Sequence, residues 1–218
     1  MKAVTIKNLN RNINVGKIVC VGRNYAEHAQ ELGNEIPEKP VVFLKPASAL
    51  IYSGDAIIYP SFSEEMHHEA ELVLLIGKTI KDADKTESAS AIIGYGVGLD
   101  MTLRDIQSNL KKKGHPWTIA KGFDTSAVIS DFISVDDFKL TLEEEIILSV
   151  NTNVRQKAKL KKMIFSPVEI VSFISSLMTL EEGDLVYTGT PAGVGRVVKG
   201  DNLHAEITGL ATLDCSVK

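Results

Sequence analysis

Residues 64–77, Glu-Glu-Met-His-His-Glu-Ala-Glu-Leu-Val-Leu-Leu-Ile-Gly, run a crowd of metal-capable side chains straight into an apolar strand. Successive strand side chains point to opposite faces, so Glu69 and Glu71 share one face and Leu72, Leu74 and Ile76 the other. Two carboxylates side by side at the edge of a core lose hydration and repel each other unless something positive lies between them. A third carboxylate, Asp100, ends the next apolar run, residues 91–99. All-oxygen donor sets suit hard divalent cations, so Glu69, Glu71 and Asp100 are a candidate ligand set for one of them. The same spacing fits a solvated strand face and a helix-capping aspartate. Spacing alone leaves both open.

Other residue pairs have the chemistry to work beside such a cation. His28 and Glu31 are three apart in a polar segment that reads as a short helix over residues 23–33, with Asn24 as its N-cap and Gly33 at its end. An imidazole oriented by a carboxylate is what a general base needs, although a short polar helix also carries such pairs by chance. Lys45 ends an apolar strand, where a lysine usually reaches out to solvent. Arg104 and Gln107 are three apart at the start of a helix that Thr102 caps, with Asp105 completing the capping pattern. Lys121 and Asp124 sit in an apolar, glycine-containing loop where charges are rarely left without partners. The run Thr190-Pro191-Ala192-Gly193-Val194-Gly195 lacks the Gly-Lys-Ser/Thr ending of a phosphate loop but can offer N–H groups and a hydroxyl to a carboxylate. Gly94, Gly96 and Gly98 share one strand face and admit another backbone or a ligand; their spacing fails the dinucleotide pattern.

The surrounding elements are short. Strands are expected at 17–22, 40–46, 143–150 and 185–189, with a closing antiparallel pair at 204–207 and 211–217. Ser166-Pro167-Val168-Glu169 is a capping box, and Val171, Ile174, Leu177 and Met178 form the buried stripe of the helix it starts. Residues 115–124 read as a loop and 151–162 as a lysine-rich hairpin. The class is α+β with a β-rich core and two or three helices. With 218 residues, 44% hydrophobic and 24% charged, the chain has the composition of a globular protein able to bury a sizeable core. A net charge of −4 with dispersed Lys and Arg argues against a nucleic-acid footprint, and no apolar run reaches bilayer-spanning length. Cys20 and Cys215 form no CxxC pair, and the N-terminus lacks the apolar core of a secretory signal, so a cytoplasmic setting is expected.

Five stretches in order resemble the fumarylacetoacetate hydrolase family: Gly22-Arg23-Asn24-Tyr25-Ala26 with His28 and Glu31; His68-Glu69-Ala70-Glu71-Leu72; Gly94-Tyr95 leading to 100–105; Pro116-Trp117-Thr118 with 121–124; and Thr188 to Gly195. The resemblance is to its short acylpyruvate hydrolase and oxaloacetate decarboxylase branch. It implies a rolled, mixed β-sandwich as a single catalytic domain over 1–218, with 1–16 an N-terminal extension and 17–218 the core. It also implies a homodimer acting on a small 2-keto acid, with one Mg2+ or Mn2+ per chain on Glu69, Glu71 and Asp100. His28 and Glu31 match the catalytic dyad on a lid segment, and Lys121 matches the lysine near the metal. Arg23, Lys45, Arg104, Gln107 and Thr190 match substrate-contacting positions. The chain departs from the pattern at Lys159-Leu160-Lys161-Lys162, where relatives carry a small polar run, and this leaves specificity open. Hydrolysis of acylpyruvates is the expected activity, with oxaloacetate decarboxylation as a second chemistry of the same site. The alternatives are an isomerase or decarboxylase of longer 2-oxo dioic acids, a sugar-acid dehydratase, and a keto-acid binding protein.

Overall fold

The computed structural model describes residues 2–9, 11–31, 33 and 35–218. A hairpin of β1 (Ala3–Ile6) and β2 (Arg11–Asn14) is followed by β3 (Ile18–Gly22), α1 (Ala26–Glu31), β4 (Val41–Lys45), β5 (Leu50–Tyr52) and β6 (Ala56–Ile57). Next come β7 (Met66–His68), β8 (Ala70–Ile76), α2 (Lys85–Ala91), β9 (Ile92–Asp100), β10 (Thr102–Leu103), α3 (Arg104–Lys112) and α4 (Thr118–Lys121). After them lie β11 (Ala127–Ile129), β12 (Ile133–Ser134), β13 (Glu145–Val150), β14 (Asn153–Lys159) and α5 (Pro167–Leu177). The chain ends with β15 (Leu185–Tyr187), β16 (Gly195–Val197), β17 (Asn202–Ile207) and β18 (Ala211–Val217).

The α+β, strand-rich class is what the structure has. An eight-stranded mixed sheet runs β4-β3-β15-β8-β9-β11-β5, with β12 added beside β9. A five-stranded sheet, β14-β13-β17-β18-β6, packs across β8 and β9, and a three-stranded sheet, β10-β7-β16, forms a separate ladder. Every residue of β8 is buried, so this strand separates two cores. Leu72, Leu74 and Ile76 enter the larger one, while Val73 and Leu75 enter a second with Val4, Ile6, Ile13 and Val15. The alternation read from sequence is correct, but its second face meets another core instead of water.

The β9 glycines admit protein, not a ligand. A Cβ on Gly98 would lie 2.7 Å from both the Tyr187 ring and Val73, and 2.8 Å from the Val128 carbonyl. The approach is looser at the other two: a Cβ on Gly96 would lie 3.1 Å from Ser130 Oγ, one on Gly94 3.3 Å from the Ile133 carbonyl, and either 3.4 Å from Phe132. Gly98→Ala should therefore destabilise the fold by about 2 kcal/mol through overpacking, lowering the melting temperature by about 4–8 °C. An unchanged thermal melt would show that β9 can shift to accept the methyl.

Several local expectations change. Helix α1 covers only Ala26–Glu31, while Leu32 lies outside the described residues. Asn24 caps nothing; it is fully buried, donating through Nδ2 to the carbonyls of Phe165 and Thr188 and accepting from Phe165 N. Thr102 belongs to β10, and α3 starts after Leu103 with no side-chain cap. Asp105 instead accepts from Ser63 Oγ and Glu64 N. Residues 118–121 form a short helix within the expected loop, and α2 makes the helix count larger than expected. The Ser166 capping box forms, but Leu177 is 55% exposed, and Ile170 takes its place in the buried stripe with Val171 and Ile174.

Candidate active site

Glu69 occupies the break between β7 and β8, where the chain leaves the small sheet for the large one. Ladder register then brings the third carboxylate to it: Asp100 N donates to Glu69 O at 2.8 Å, and Glu71 stands opposite Gly98. One oxygen from each of Glu69, Glu71 and Asp100 lies within 4.8 Å of the others. Their exposures of 5%, 1% and 1% exclude the reading as a solvated strand face. Three carboxylates this close and this dry repel each other strongly.

Cations offset that repulsion unevenly. Lys121 Nζ donates to Glu69 Oε2 at 2.7 Å, to Asp100 Oδ2 at 2.6 Å and to Thr102 Oγ1 at 2.6 Å. Arg104 Nη2 reaches Glu69 Oε1 at 2.5 Å. Lys45 is buried instead of reaching for solvent; its Nζ lies 2.7 Å from Asp100 Oδ1 and donates to the carbonyls of Met101 and Lys121. Glu71 has no cation in ion-pair contact among the described residues and accepts a hydrogen bond from Gly189 N at 2.6 Å. Burial, then Asp100 and Glu69, hold its carboxyl well above the usual range. Glu69 moves the other way: burial works to raise it, but Lys121, Arg104 and His28 together pull it well below that range. Burial would lower the Lys121 ammonium, yet Asp100 and Glu69 outweigh it and raise its pKa.

The donor set fits a divalent cation. It is all oxygen, and Asp100 Oδ1 is buried without accepting a hydrogen bond, the nearby Lys45 charge being poorly aligned for one. His67 and His68 flank the set; His67 Nε2 contacts Glu65, and His68 Nδ1 contacts Gln156.

His28 and Glu31 lie on α1 over this region. His28 is 4% exposed, so it is not a chance pairing on a solvated helix face. Its Nδ1 lies 3.4 Å from Glu31 Oε2, a long contact, and both Glu31 oxygens accept from Gly193 N at 3.1 Å. Burial lowers the imidazole pKa, against upward pulls from Glu69 and the Glu31 contact. The loop from Thr188 to Gly195 thus gives its N–H groups to the protein's own carboxylates, Glu71 and Glu31.

The remaining candidates divide. Arg104 and Gln107 meet, Nη1 to Oε1 at 2.6 Å, beside Glu69. Thr190 is buried and accepts from Gln156 Nε2 at 2.8 Å. Arg23, with φ at 60°, makes no ion pair with the three carboxylates; its charge acts with that of Arg104 on Lys111 of α3. The departing lysine run meets α1 only through Lys162, which pairs with Glu27 at 2.7 Å, while Lys159 and Lys161 pair with Glu143. Gln156 is a buried polar group that sequence reasoning missed, and Asn24 and Thr102 are buried polar groups that it assigned to helix caps. The signal for Gln156 was available, since Gln156, Ala158 and Leu160 alternate with Arg155, Lys157 and Lys159.

A model of the fumarylacetoacetate hydrolase C-terminal region matches residues 17–218. A mitochondrial oxaloacetate decarboxylase of Dictyostelium discoideum is 48% identical over 197 residues, 90% of either chain. A mitochondrial oxaloacetate tautomerase of Arabidopsis thaliana is 46% identical over 202 residues, 93% of this chain and 91% of that one. The crystal structure of fumarylpyruvate hydrolase from Pseudomonas aeruginosa, in complex with Mn2+ and pyruvate, superposes with a TM-score of 0.95 at 38% identity, covering 99% of this chain and 95% of that one. On both the sequence match and the shared architecture, the chain belongs to the fumarylacetoacetate hydrolase family.

Proposed function

We propose that this protein is a divalent-metal-dependent hydrolase that cleaves acylpyruvate-type 2,4-diketo acids. The observation that carries the reading is a buried, neutral-leaning imidazole, His28, held by Glu31 above three carboxylates and a buried lysine. Glu69, Glu71 and Asp100 would hold the divalent cation, which would supply Lewis acidity to the keto acid. His28 takes a proton from water, whose oxygen attacks the distal carbonyl carbon, and Glu31 holds the resulting imidazolium. The bond between that carbon and the methylene breaks, releasing a carboxylic acid and leaving its electron pair as the enolate of pyruvate. Lys121 offsets the enolate charge, and His28 returns the proton to the methylene carbon. Arg104, Gln107, Lys45 and Thr190 orient the keto acid, with Arg23 at the rim. The working unit is taken as one catalytic domain, residues 17–218 with 1–16 leading into it, assembled as a cytoplasmic homodimer.

A second reading, action on oxaloacetate, is supported by the higher identities to the oxaloacetate decarboxylase and tautomerase, 48% and 46% against 38% for the hydrolase. Loss of carbon dioxide from oxaloacetate leaves that same pyruvate enolate, whereas proton transfer from its methylene gives the enolate of oxaloacetate itself; neither needs an attacking water.

Turnover of acetylpyruvate and oxaloacetate with Mg2+, Mn2+ or chelator tests both. The expected result is acetate and pyruvate in equal amounts from acetylpyruvate, abolished by chelator. Carbon dioxide release or enol absorbance changes with oxaloacetate, and no acetate from acetylpyruvate, would move the assignment to the second reading. No turnover of either would remove both.

A further inference from the structure

Gln156 is 1% exposed on β14 and uses its whole amide. Its Nε2 donates to Thr190 Oγ1 and to Pro191 O, both at 2.8 Å. Its Oε1 accepts from Ala70 N at 3.1 Å, and His68 Nδ1 lies at the same distance. The amide orientation is not a matter of choice here. Pro191 O can only accept and Ala70 N can only donate, so the nitrogen must face the loop and the oxygen must face the β7–β8 break.

Two consequences follow. Thr190 Oγ1 receives its hydrogen bond from Gln156, so its own proton is left over, and no acceptor among the described residues takes it. Ala70, the residue between two of the three clustered carboxylates, has its N–H held at the point where the chain changes sheets. We propose that Gln156 is a positioning residue that makes Thr190 an obligate hydrogen-bond donor toward a bound keto acid and pins the backbone carrying Glu69 and Glu71. The donor half rests on the reading of Thr190 as a substrate contact; the anchoring half does not.

Substituting Gln156→Glu separates the two roles. The glutamate oxygens can still accept from Ala70 N, but the ionised carboxylate has no proton for Thr190 or Pro191 O and must accept the Thr190 proton, so Thr190 turns its lone pairs toward the ligand. For a carboxylate or oxo ligand this is the wrong polarity, as in Thr190→Val, where the donor is gone.

The test measures pyruvate affinity of the Mn2+-loaded protein by calorimetry, and Mn2+ affinity from the electron spin resonance of the free ion. Gln156→Glu and Thr190→Val should each weaken pyruvate about tenfold or more while Mn2+ affinity stays within about threefold. Combined, they should be no worse than either alone, because Gln156 acts through Thr190. Additive losses would instead mean that the new charge repels pyruvate directly, and would overturn the donor half, as would unchanged pyruvate affinity in Gln156→Glu.

For the anchor, Gln156→Leu should weaken Mn2+ about tenfold or more and speed hydrogen exchange at the Ala70 amide, whereas Gln156→Glu should leave that amide protected. Unchanged exchange and Mn2+ affinity in Gln156→Leu would overturn the anchoring half. If Gln156→Leu does not fold, Ala70 exchange in Gln156→Glu decides it, since loss of protection there contradicts the retained bond. Wild-type protein that loads Mn2+ but ignores pyruvate would reject the keto-acid reading, and the Ala70 measurements would still judge Gln156.

Discussion

Asp100→Asn and Glu71→Gln should both abolish divalent-cation binding and turnover, yet only Asp100→Asn should cost stability. Asp100 is the shared counter-charge of two buried ammonium groups, Lys45 at 2.7 Å and Lys121 at 2.6 Å. Neutralising it leaves Lys45 without a carboxylate and Lys121 with Glu69 alone. Removing one partner of a buried pair costs about 3–5 kcal/mol, so Asp100→Asn should melt well below wild type in chelator. Glu71 is different: it has no cation in contact and stands against two other carboxylates. A glutamine there keeps an oxygen for Gly189 N and removes the repulsion, so its melting temperature in chelator should equal or exceed that of wild type. The readouts are thermal melts in chelator and Mn2+ binding for each variant. Tight Mn2+ binding by either would refute the carboxylate site, and a Glu71→Gln variant as unstable as Asp100→Asn would refute the charge assignment.

His28→Ala should lower acylpyruvate hydrolysis by about 10²–10⁴-fold, the usual worth of a positioned general base, with Mn2+ affinity unchanged. The base works only as neutral imidazole, and burial lowers its pKa from the ordinary value near 6.5. The acid limb of kcat/KM should therefore fall below pH 6.5: activity holds above that limb and is lost as falling pH protonates His28. Glu31 raises this pKa, so Glu31→Gln should move the limb to still lower pH while reducing the rate. Hydrolysis surviving intact in His28→Ala would leave the imidazole without a role, and a limb above pH 6.5 would point to another group.

The carboxylate constellation was legible because strand parity places Glu69 and Glu71 on one face, and parity survives any tertiary context. What sequence did not convey was the partner across the ladder. Pairing of Glu69 with Asp100 depends on the register of β8 on β9, which 30 residues of intervening chain leave free until the sheet forms. Lys45 was misjudged for a related reason. A lysine at a strand end reaches water by default, and only the position of Asp100 on β9, four strands along the sheet, makes burial tolerable. Thr102 and Asp105 make a sound capping pattern, but the Lys121 ammonium and residues 63–64 compete for the same oxygens and win. The α5 capping box formed as read because nothing else reaches Ser166 and Glu169 except Lys85 at the rim. The Lys159–Lys162 run could not be interpreted from sequence, since its role depends on Glu27 and Glu143 being brought beside it.

The loop from Thr188 to Gly195 holds Glu71 through Gly189 N–H and Glu31 through Gly193 N–H. A displacement of that loop must alter a carboxylate of the buried cluster and a carboxylate of α1 together. On the reading of α1 as a lid over a bound cation, thermodynamic linkage works both ways: whatever free energy the cation contributes to closing α1, closure returns to cation affinity in equal measure. Keto acid held under a closed α1 would slow the escape of the ion beneath it, and a loosely held lid would appear in titrations as weakened metal binding although every ligand is intact.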